Sequence, residues 1–118
     1  MKAFDREALE HLAFNIRRDI VATIATNGEG HVGGALSATD IVAVLYGAIM
    51  NYDPQDPLHR DKLILSAGHK CLTLYGAMAE LGVIDKAELK TYNQLGTRFP
   101  GHPDATKLPC FDFSTGSL

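Results

Sequence analysis

Residues 63–69 read Leu-Ile-Leu-Ser-Ala-Gly-His: three consecutive apolar residues, a short turn that contains glycine, and the start of a helical pattern. An apolar triplet without polar alternation is typical of a short strand buried on both faces, as in a parallel sheet. The helical pattern extends from about His69 to Leu81 and ends at Gly82, a residue suited to a left-handed C-terminal cap. The order of strand, turn and helix predicts an α/β fold.

The rest of the chain predicts helices and one more short strand. Apolar residues at helical spacing predict a helix over 5–26, which ends at Asn27-Gly28, and a helix that begins with a capping box at Ser37 and runs to Ile49. A further helix is predicted over 85–93, and a short strand over 111–113. Two short strands cannot cover each other, so the sequence predicts a helix-rich, incomplete part of a larger α/β domain.

Composition argues against several classes of protein. The 118 residues are 46% hydrophobic and carry a net charge of −3 without a long basic run, which argues against nucleic acid as a partner. Cys71 and Cys110 are far apart and form no CxxC spacing, which predicts neither a disulfide framework nor a metal site. The longest apolar run, 41–50, is half the length of a membrane span. These features predict a soluble, cytoplasmic protein.

Three histidines, His31, His69 and His102, each follow a glycine in a turn-like setting. Glycine allows the backbone to approach a ligand closely, and histidine supplies hydrogen bonds and a proton near neutral pH. The three pairs together predict loops that converge on a polar, phosphorylated ligand. The alternative for each pair taken alone is an ordinary surface loop.

Each histidine loop favours a particular contact. His69 begins a helix, where unpaired backbone amides favour a phosphate group, although it could also simply start the helix at the surface. His31 is expected to contact a substrate hydroxyl or a cofactor. Two prolines stiffen the loop of His102, which either holds that ring in place or only braces a turn. Asp112 lies in the second predicted strand, either facing outward or anchoring the loop that follows.

Several motifs in order resemble those of the transketolase family, closest to the N-terminal subunits of split transketolases. They extend over nearly the whole chain from about residue 8. The motifs are GHVGGALSATDI at 30–41, NYDP at 51–54, RDKLILSAGH at 60–69, QLGTRFPGHPD at 94–104 and STGSL at 114–118.

This resemblance implies a fold, a reaction and a set of site residues. The fold is a doubly wound parallel-sheet domain that binds thiamine diphosphate, and residues 1–118 are expected to be one N-terminal portion of it. The reaction is the transfer of a two-carbon ketol unit between sugar phosphates, as in the pentose phosphate pathway. His69, Gly116 and Leu118 are expected to bind the cofactor. His31 and His102 are expected to be catalytic and to line the donor pocket.

The sequence also departs from the family pattern. Val32 stands where full-length transketolases commonly carry proline, Thr97 replaces a frequent serine, and Cys110 replaces a frequent glycine. The family's Gly-Asp-Gly segment, which binds Mg²⁺ and the diphosphate, and its activating glutamate do not occur in this sequence. We therefore expect the isolated chain to be inactive, to bind thiamine diphosphate weakly or not at all, and to need a C-terminal transketolase section or subunit in a homo- or hetero-oligomer such as a dimer.

Two other functions are open at this point. One is a non-catalytic fragment or interaction module derived from this family. The other is a different thiamine enzyme, such as a deoxyxylulose phosphate synthase or a pyruvate dehydrogenase component. The predicted helices and the Gln94-Leu95-Gly96 segment between the second and third histidines favour transketolase.

Overall fold

The computed structural model of the chain describes residues 3–116, in which three α-helices are joined by helical turns and irregular segments. The helices are α1 (Arg6–Asn27), α2 (Val32–Val44) and α3 (Leu72–Glu80). A π-helical turn, Leu45–Ile49, continues α2, and two 3-10 turns, Gly68–Lys70 and Lys86–Thr91, flank α3. The second 3-10 turn is shorter than the helix predicted over 85–93.

The prediction for α1 is confirmed, because its start, its end and its buried stripe all follow from local sequence. The Asp5 carboxylate accepts a hydrogen bond from the Ala8 amide at 3.1 Å and so caps the first turn. Gly28 adopts a φ of 80°, and its amide donates to the Ile24 carbonyl at 2.7 Å. Ile16 and Ile20 are fully buried within the predicted stripe.

The predicted capping box at Ser37 is wrong, because α2 begins five residues earlier at Val32. Ser37 lies inside the helix, and its hydroxyl donates to the Gly34 carbonyl at 2.9 Å. The carboxylate of Asp40 accepts two hydrogen bonds from Arg17 of α1, at 3.0 and 2.8 Å. A contact with a distant helix has replaced the local cap.

The continuous helix Val32–Ile49 has 18 residues with a mean hydropathy of 1.6, so its length and composition would allow it to cross a membrane. It is longer than the apolar run 41–50 because its first turns also contain few charges. Core helices of soluble proteins meet the same criterion, and 39% of this stretch is buried here. Four of its buried residues, Ala35, Val42, Ala43 and Tyr46, belong to the core that also includes α1 and α3.

Helix α3 lies at the centre of the core. All residues from Leu72 to Ala79 are buried, whereas the sequence predicted only one inward face. A Cβ placed on Gly76 would lie 3.1 Å from Cγ2 of Ile16, so the glycine allows α1 and α3 to approach closely.

The two predicted strands, 63–65 and 111–113, are wrong as elements within residues 3–116, where no strand forms. A strand is defined by a hydrogen-bonded neighbour, and neither segment has one in the part of the chain described. The side chain of Ile64 is 60% exposed, so the apolar triplet is not covered on both faces.

A buried ion pair instead joins Arg60, just before the first segment, to Asp112 in the second. The guanidinium of Arg60 donates to the Asp112 carboxylate at 2.7 Å and to the Pro109 carbonyl at 3.0 Å. The side chain of Arg60 is 1% exposed and that of Asp112 is 12% exposed. The guanidinium also lies 5.2 Å from the centre of the Tyr52 ring. Asp112 therefore does not face outward, and its partner is Arg60, far earlier in the chain, rather than the loop that follows it.

A second buried charge cluster joins α1, α3 and the turn after α3. Asp19 of α1 and Glu80 of α3 are both nearly inaccessible to solvent, and the ammonium of Lys86 contacts both carboxylates. Burial and the adjacent Glu80 carboxyl group raise the pKa of Asp19 to about 7. Burial also acts to raise the pKa of Glu80, but hydrogen bonds with Asp19 and Lys86 leave it lowered. The cluster therefore keeps one proton up to near-neutral pH.

We expect this cluster to make the protein less stable as the pH rises toward 7, with little further change above it. Between about pH 4, the ordinary pKa of an aspartate, and pH 7, Asp19 keeps its proton in the folded state while the unfolded chain has released it, so its contribution to stability is fully present below about pH 4 and is lost by the time the pH passes 7. Between pH 6 and 8.5 the free energy of unfolding should fall by about 1 kcal/mol. Urea unfolding at both pH values measures this change.

The variant Asp19→Asn imitates the protonated carboxyl group and should remove most of this pH dependence. Glu7→Gln, an exposed change of the same kind on α1, should leave it in place. An equal fall in wild type and Asp19→Asn would contradict the assignment.

Candidate functional site

Two of the three predicted histidines are in direct contact. His31 is the residue before α2, and His69 lies in the 3-10 turn before α3. Their ring centres are 5.3 Å apart, and the rings meet edge to face at 66°. The starts of two helices therefore bring two imidazoles together.

The third histidine faces the same region. His31 and His102 both line a cavity of about 360 Å³. The remaining lining residues come from the loop before α2 and the loop after the second 3-10 turn: Glu29, Gly30, Tyr92, Asn93 and Gly101. His69 is not part of this lining, but its ring touches that of His31. The structure thus places His31 and His102 on one cavity, and it brings His69 next to this cavity through the contact with His31 but not onto its lining.

Hydrogen bonds between side chains hold two of these loops together. The Asn93 amide donates to the Glu29 carboxylate at 3.0 Å, and the Gln94 amide donates to the Asn27 side-chain carbonyl at 2.9 Å. Asn93 adopts a φ of 59°, in the left-handed region that asparagine tolerates better than most residues. This conformation turns the chain before it reaches His102.

The loop of His102 is attached to α3, through residues that sequence reasoning did not assign to the site. The Tyr75 hydroxyl donates to the Pro100 carbonyl at 2.6 Å, and the Cys71 thiol donates to the Gly101 carbonyl at 3.2 Å. The sequence predicted that Tyr75 faces inward. Because a buried tyrosine hydroxyl usually has a hydrogen-bond partner, this prediction could have indicated that Tyr75 holds another part of the chain.

Gly68 packs closely against residues 114–116, beside the residues predicted to bind the cofactor, and we call this contact the glycine cradle. A Cβ on Gly68 would lie 1.8 Å from the hydroxyl oxygen of Thr115, so only glycine allows residues 114–116 to pack against this turn. The Thr115 hydroxyl is buried and has no hydrogen-bond partner. A second cavity of about 480 Å³, lined in part by Thr115 and His102, opens here. Gly116 is exposed next to this cradle, and Leu118 lies outside the described residues.

The cradle and the cavities suit a polar ligand better than a metal ion. An unpartnered buried hydroxyl, several imidazoles and a backbone that can be approached closely match the hydrogen-bonding needs of a phosphorylated organic molecule. Within residues 3–116, no group of three or more His, Cys, Asp or Glu side chains is placed to hold a metal ion. The cysteines Cys71 and Cys110 are buried and free.

Comparison with known proteins gives consistent matches. Residues 9–118 match the family described as "Transketolase, thiamine diphosphate binding domain". The "6-deoxy-6-sulfo-D-fructose transketolase subunit SqwG" of Clostridium sp. (strain MSTE9) is 41% identical over 112 residues, which are 93% of this chain and 41% of that protein. An apulose-4-phosphate transketolase subunit from Actinobacillus succinogenes is 38% identical over 115 residues, 95% of this chain and 42% of that protein.

Solved structures give the same result. A transketolase from Leishmania mexicana superposes with a TM-score of 0.85 at 30% identity, over 100% of this chain and 18% of that one. A transketolase from Campylobacter jejuni superposes with a TM-score of 0.83 at 31% identity, over 98% of this chain and 18% of that one.

The chain spans less than half the length of these relatives. The structural matches confirm the predicted fold class, although the described residues contribute helices and no strand of their own. A match over residues 9–118, with the histidine loops in place, shows that the chain belongs to the transketolase family and corresponds to an N-terminal part of its thiamine diphosphate-binding domain.

Proposed function

We propose that the chain takes part in transketolase-type transfer of a two-carbon ketol unit between sugar phosphates, as one section of a larger or multi-subunit enzyme. The observation that carries this proposal is the placement of His31, His69 and His102 around one region of a chain that belongs to this family. A surface loop would give no reason for the three rings to converge. The pentose phosphate pathway is the corresponding setting in carbohydrate metabolism.

The residues of the cradle fit thiamine diphosphate. The unpartnered Thr115 hydroxyl and the close approach at Gly68 are features that a bound polar group would explain. His69, Gly116 and Leu118 would hold this cofactor, and the ring of His69 would donate to a phosphate oxygen. When bound, thiamine diphosphate supplies an electron sink for the carbanion that ketol transfer requires.

The other two histidines would act on the sugar. His31 and His102 line one cavity, so both can donate hydrogen bonds to hydroxyl groups of a donor ketose placed there. An imidazole can also take up a proton from such a hydroxyl and return it. The walls of the cavity would fix the orientation of the donor.

The same proposal includes a partner subunit, a metal ion and a cellular compartment. Two relatives are named as transketolase subunits, which supports a partner in the form of a separate C-terminal section or subunit, and an oligomer such as a dimer for the active form. We propose that Mg²⁺ accompanies the diphosphate in the complete enzyme, and that the chain alone binds the cofactor weakly. Buried, unpaired cysteines are consistent with a reducing cytoplasm.

Replacing the histidines one at a time tests these roles in the complete enzyme that contains this chain. His69→Ala should weaken thiamine diphosphate binding about tenfold, because one hydrogen bond to a charged oxygen is lost. His102→Ala should lower kcat about a hundredfold with little effect on cofactor affinity. Calorimetry measures the first change and a ketol-transfer assay the second.

The exposed His59 provides the matched control, since its ring is paired with Asp56 on the surface and lines neither cavity, and His59→Ala should change neither quantity. If His69→Ala and His102→Ala also left both quantities unchanged, the assigned roles would be wrong.

A further inference from the structure

The loop that carries His102 is held by two consecutive backbone carbonyls. Tyr75 donates to the carbonyl of Pro100, and Cys71, one helical turn earlier, donates to that of Gly101. Both donors are completely buried. A buried donor cannot turn to water instead, and losing either donor would leave a carbonyl of the His102 loop without that partner.

These bonds fix the direction in which the His102 side chain leaves the backbone. The carbonyl of Gly101 and the amide nitrogen of His102 belong to one planar peptide unit, so a fixed oxygen also fixes the orientation of that amide. On the other side of His102, Pro103 is buried and its carbonyl accepts from the Thr115 amide at 3.1 Å. His102 is thus the residue between two anchored positions.

Both donors keep their protons under ordinary conditions. Burial raises the pKa of Cys71 to about 12 and that of Tyr75 far above its usual range. The Tyr75 ring is itself held between Phe99, at 5.2 Å between ring centres, and Phe111, at 5.8 Å. The hydroxyl therefore has a fixed position from which to donate.

We propose that Tyr75 and Cys71 are positioning residues that aim His102 at the cavity it shares with His31. This inference rests on the proposed function, in which His102 acts on the substrate. Neither donor is among the residues that line the cavity, so each acts through the Pro100-Gly101 backbone.

The test is to remove each donor and observe the His102 ring directly. In the complete enzyme, Tyr75→Phe should shift the NMR signals of the His102 ring, assigned with a His102→Gln variant, and leave those of His59 in place. It should also lower kcat about tenfold, with thiamine diphosphate affinity unchanged. Cys71→Ala should shift the same signals, and Cys71→Ser, which retains a hydroxyl donor, should bring them back toward wild type.

Tyr52→Phe is the matched control. Tyr52 also donates its hydroxyl to a backbone carbonyl, that of Cys110 at 2.8 Å, but on a different loop. Tyr52→Phe should leave the His102 signals unchanged, even where it lowers the melting temperature as much as Tyr75→Phe does.

The readouts separate this proposal from the proposed function. Unchanged His102 signals in Tyr75→Phe and Cys71→Ala would overturn the positioning role, whatever the activity. Equal shifts in Tyr75→Phe and Tyr52→Phe would also overturn it, because the effect would then be general. Shifts confined to the Tyr75 and Cys71 variants would support it even if the wild-type enzyme showed no ketol transfer, a result that would count only against the proposed function.

Discussion

Arg60→Met is expected to lower the free energy of unfolding by about 3–5 kcal/mol, the range for breaking a buried ion pair from one side. The methionine would fill much of the same space but would leave the Asp112 carboxylate buried without its main partner. The Pro109 carbonyl would lose a donor as well. Lys62 lies 3.5 Å from Asp112 but is half exposed, so it can compensate only in part. Urea unfolding, followed by circular dichroism, measures the change.

Arg17→Met provides the matched control for this prediction. Arg17 makes a two-bond contact with Asp40, but that pair is on the surface, with side chains that are 37% and 72% exposed. Exposed pairs contribute about 0–1 kcal/mol, so this variant should lose far less stability. Equal losses of unfolding free energy in the two variants would show that burial does not make the Arg60 pair contribute more to stability than the exposed Arg17 pair.

Gly68→Ala is expected to weaken thiamine diphosphate binding in the complete enzyme by more than about a hundredfold. The new methyl group would overlap with Thr115, whose hydroxyl oxygen and Cβ would lie 1.8 and 2.7 Å away. Relieving this overlap requires residues 114–116 to move away from the turn that holds His69. Overpacking of this kind costs about 3 kcal/mol at the upper end of its usual range, which corresponds to the predicted loss. Calorimetric titration with thiamine diphosphate measures it.

The double variant Gly68→Ala/Thr115→Gly tests the cause. Thr115→Gly removes all three atoms that the new methyl group would meet, so it should restore part of the lost affinity. If Gly68→Ala bound thiamine diphosphate as tightly as wild type, the cradle would have no role in binding this cofactor. A double variant no better than Gly68→Ala would show that the loss does not arise from this overlap.

The parts of the fold that depend on residues close together in the sequence could be predicted. The cap of α1 at Asp5, its end at Gly28 and its buried stripe are all local signals. The start of α2 was placed wrongly because residues 32–36, with two glycines among them, are already helical, and Asp40 contacts Arg17, 23 residues away, instead of taking part in a local cap. The strands were placed wrongly because a strand needs a partner that a single stretch of sequence does not reveal.

The site shows the same division between local and distant contacts. The glycines and the family motifs identified His31, His69 and His102, and the structure brings these residues together. Tyr75 and Cys71 were not recognised as part of the site, because their partners lie 25 and 30 residues further along the chain. Nothing in the local sequence of α3 distinguishes a hydroxyl that holds a loop from one that only fills the core.

The burial of α3 on every side limits how this protein can be engineered. Eight consecutive positions, 72–79, have no face toward solvent, so a library that introduces polar residues there would yield mostly insoluble variants. The outer face of α1 differs, since Phe14 and Val21 are 61% and 52% exposed on this chain. Changes are best directed at the part of that face that the proposed partner section or subunit leaves uncovered, with the central helix kept as it is.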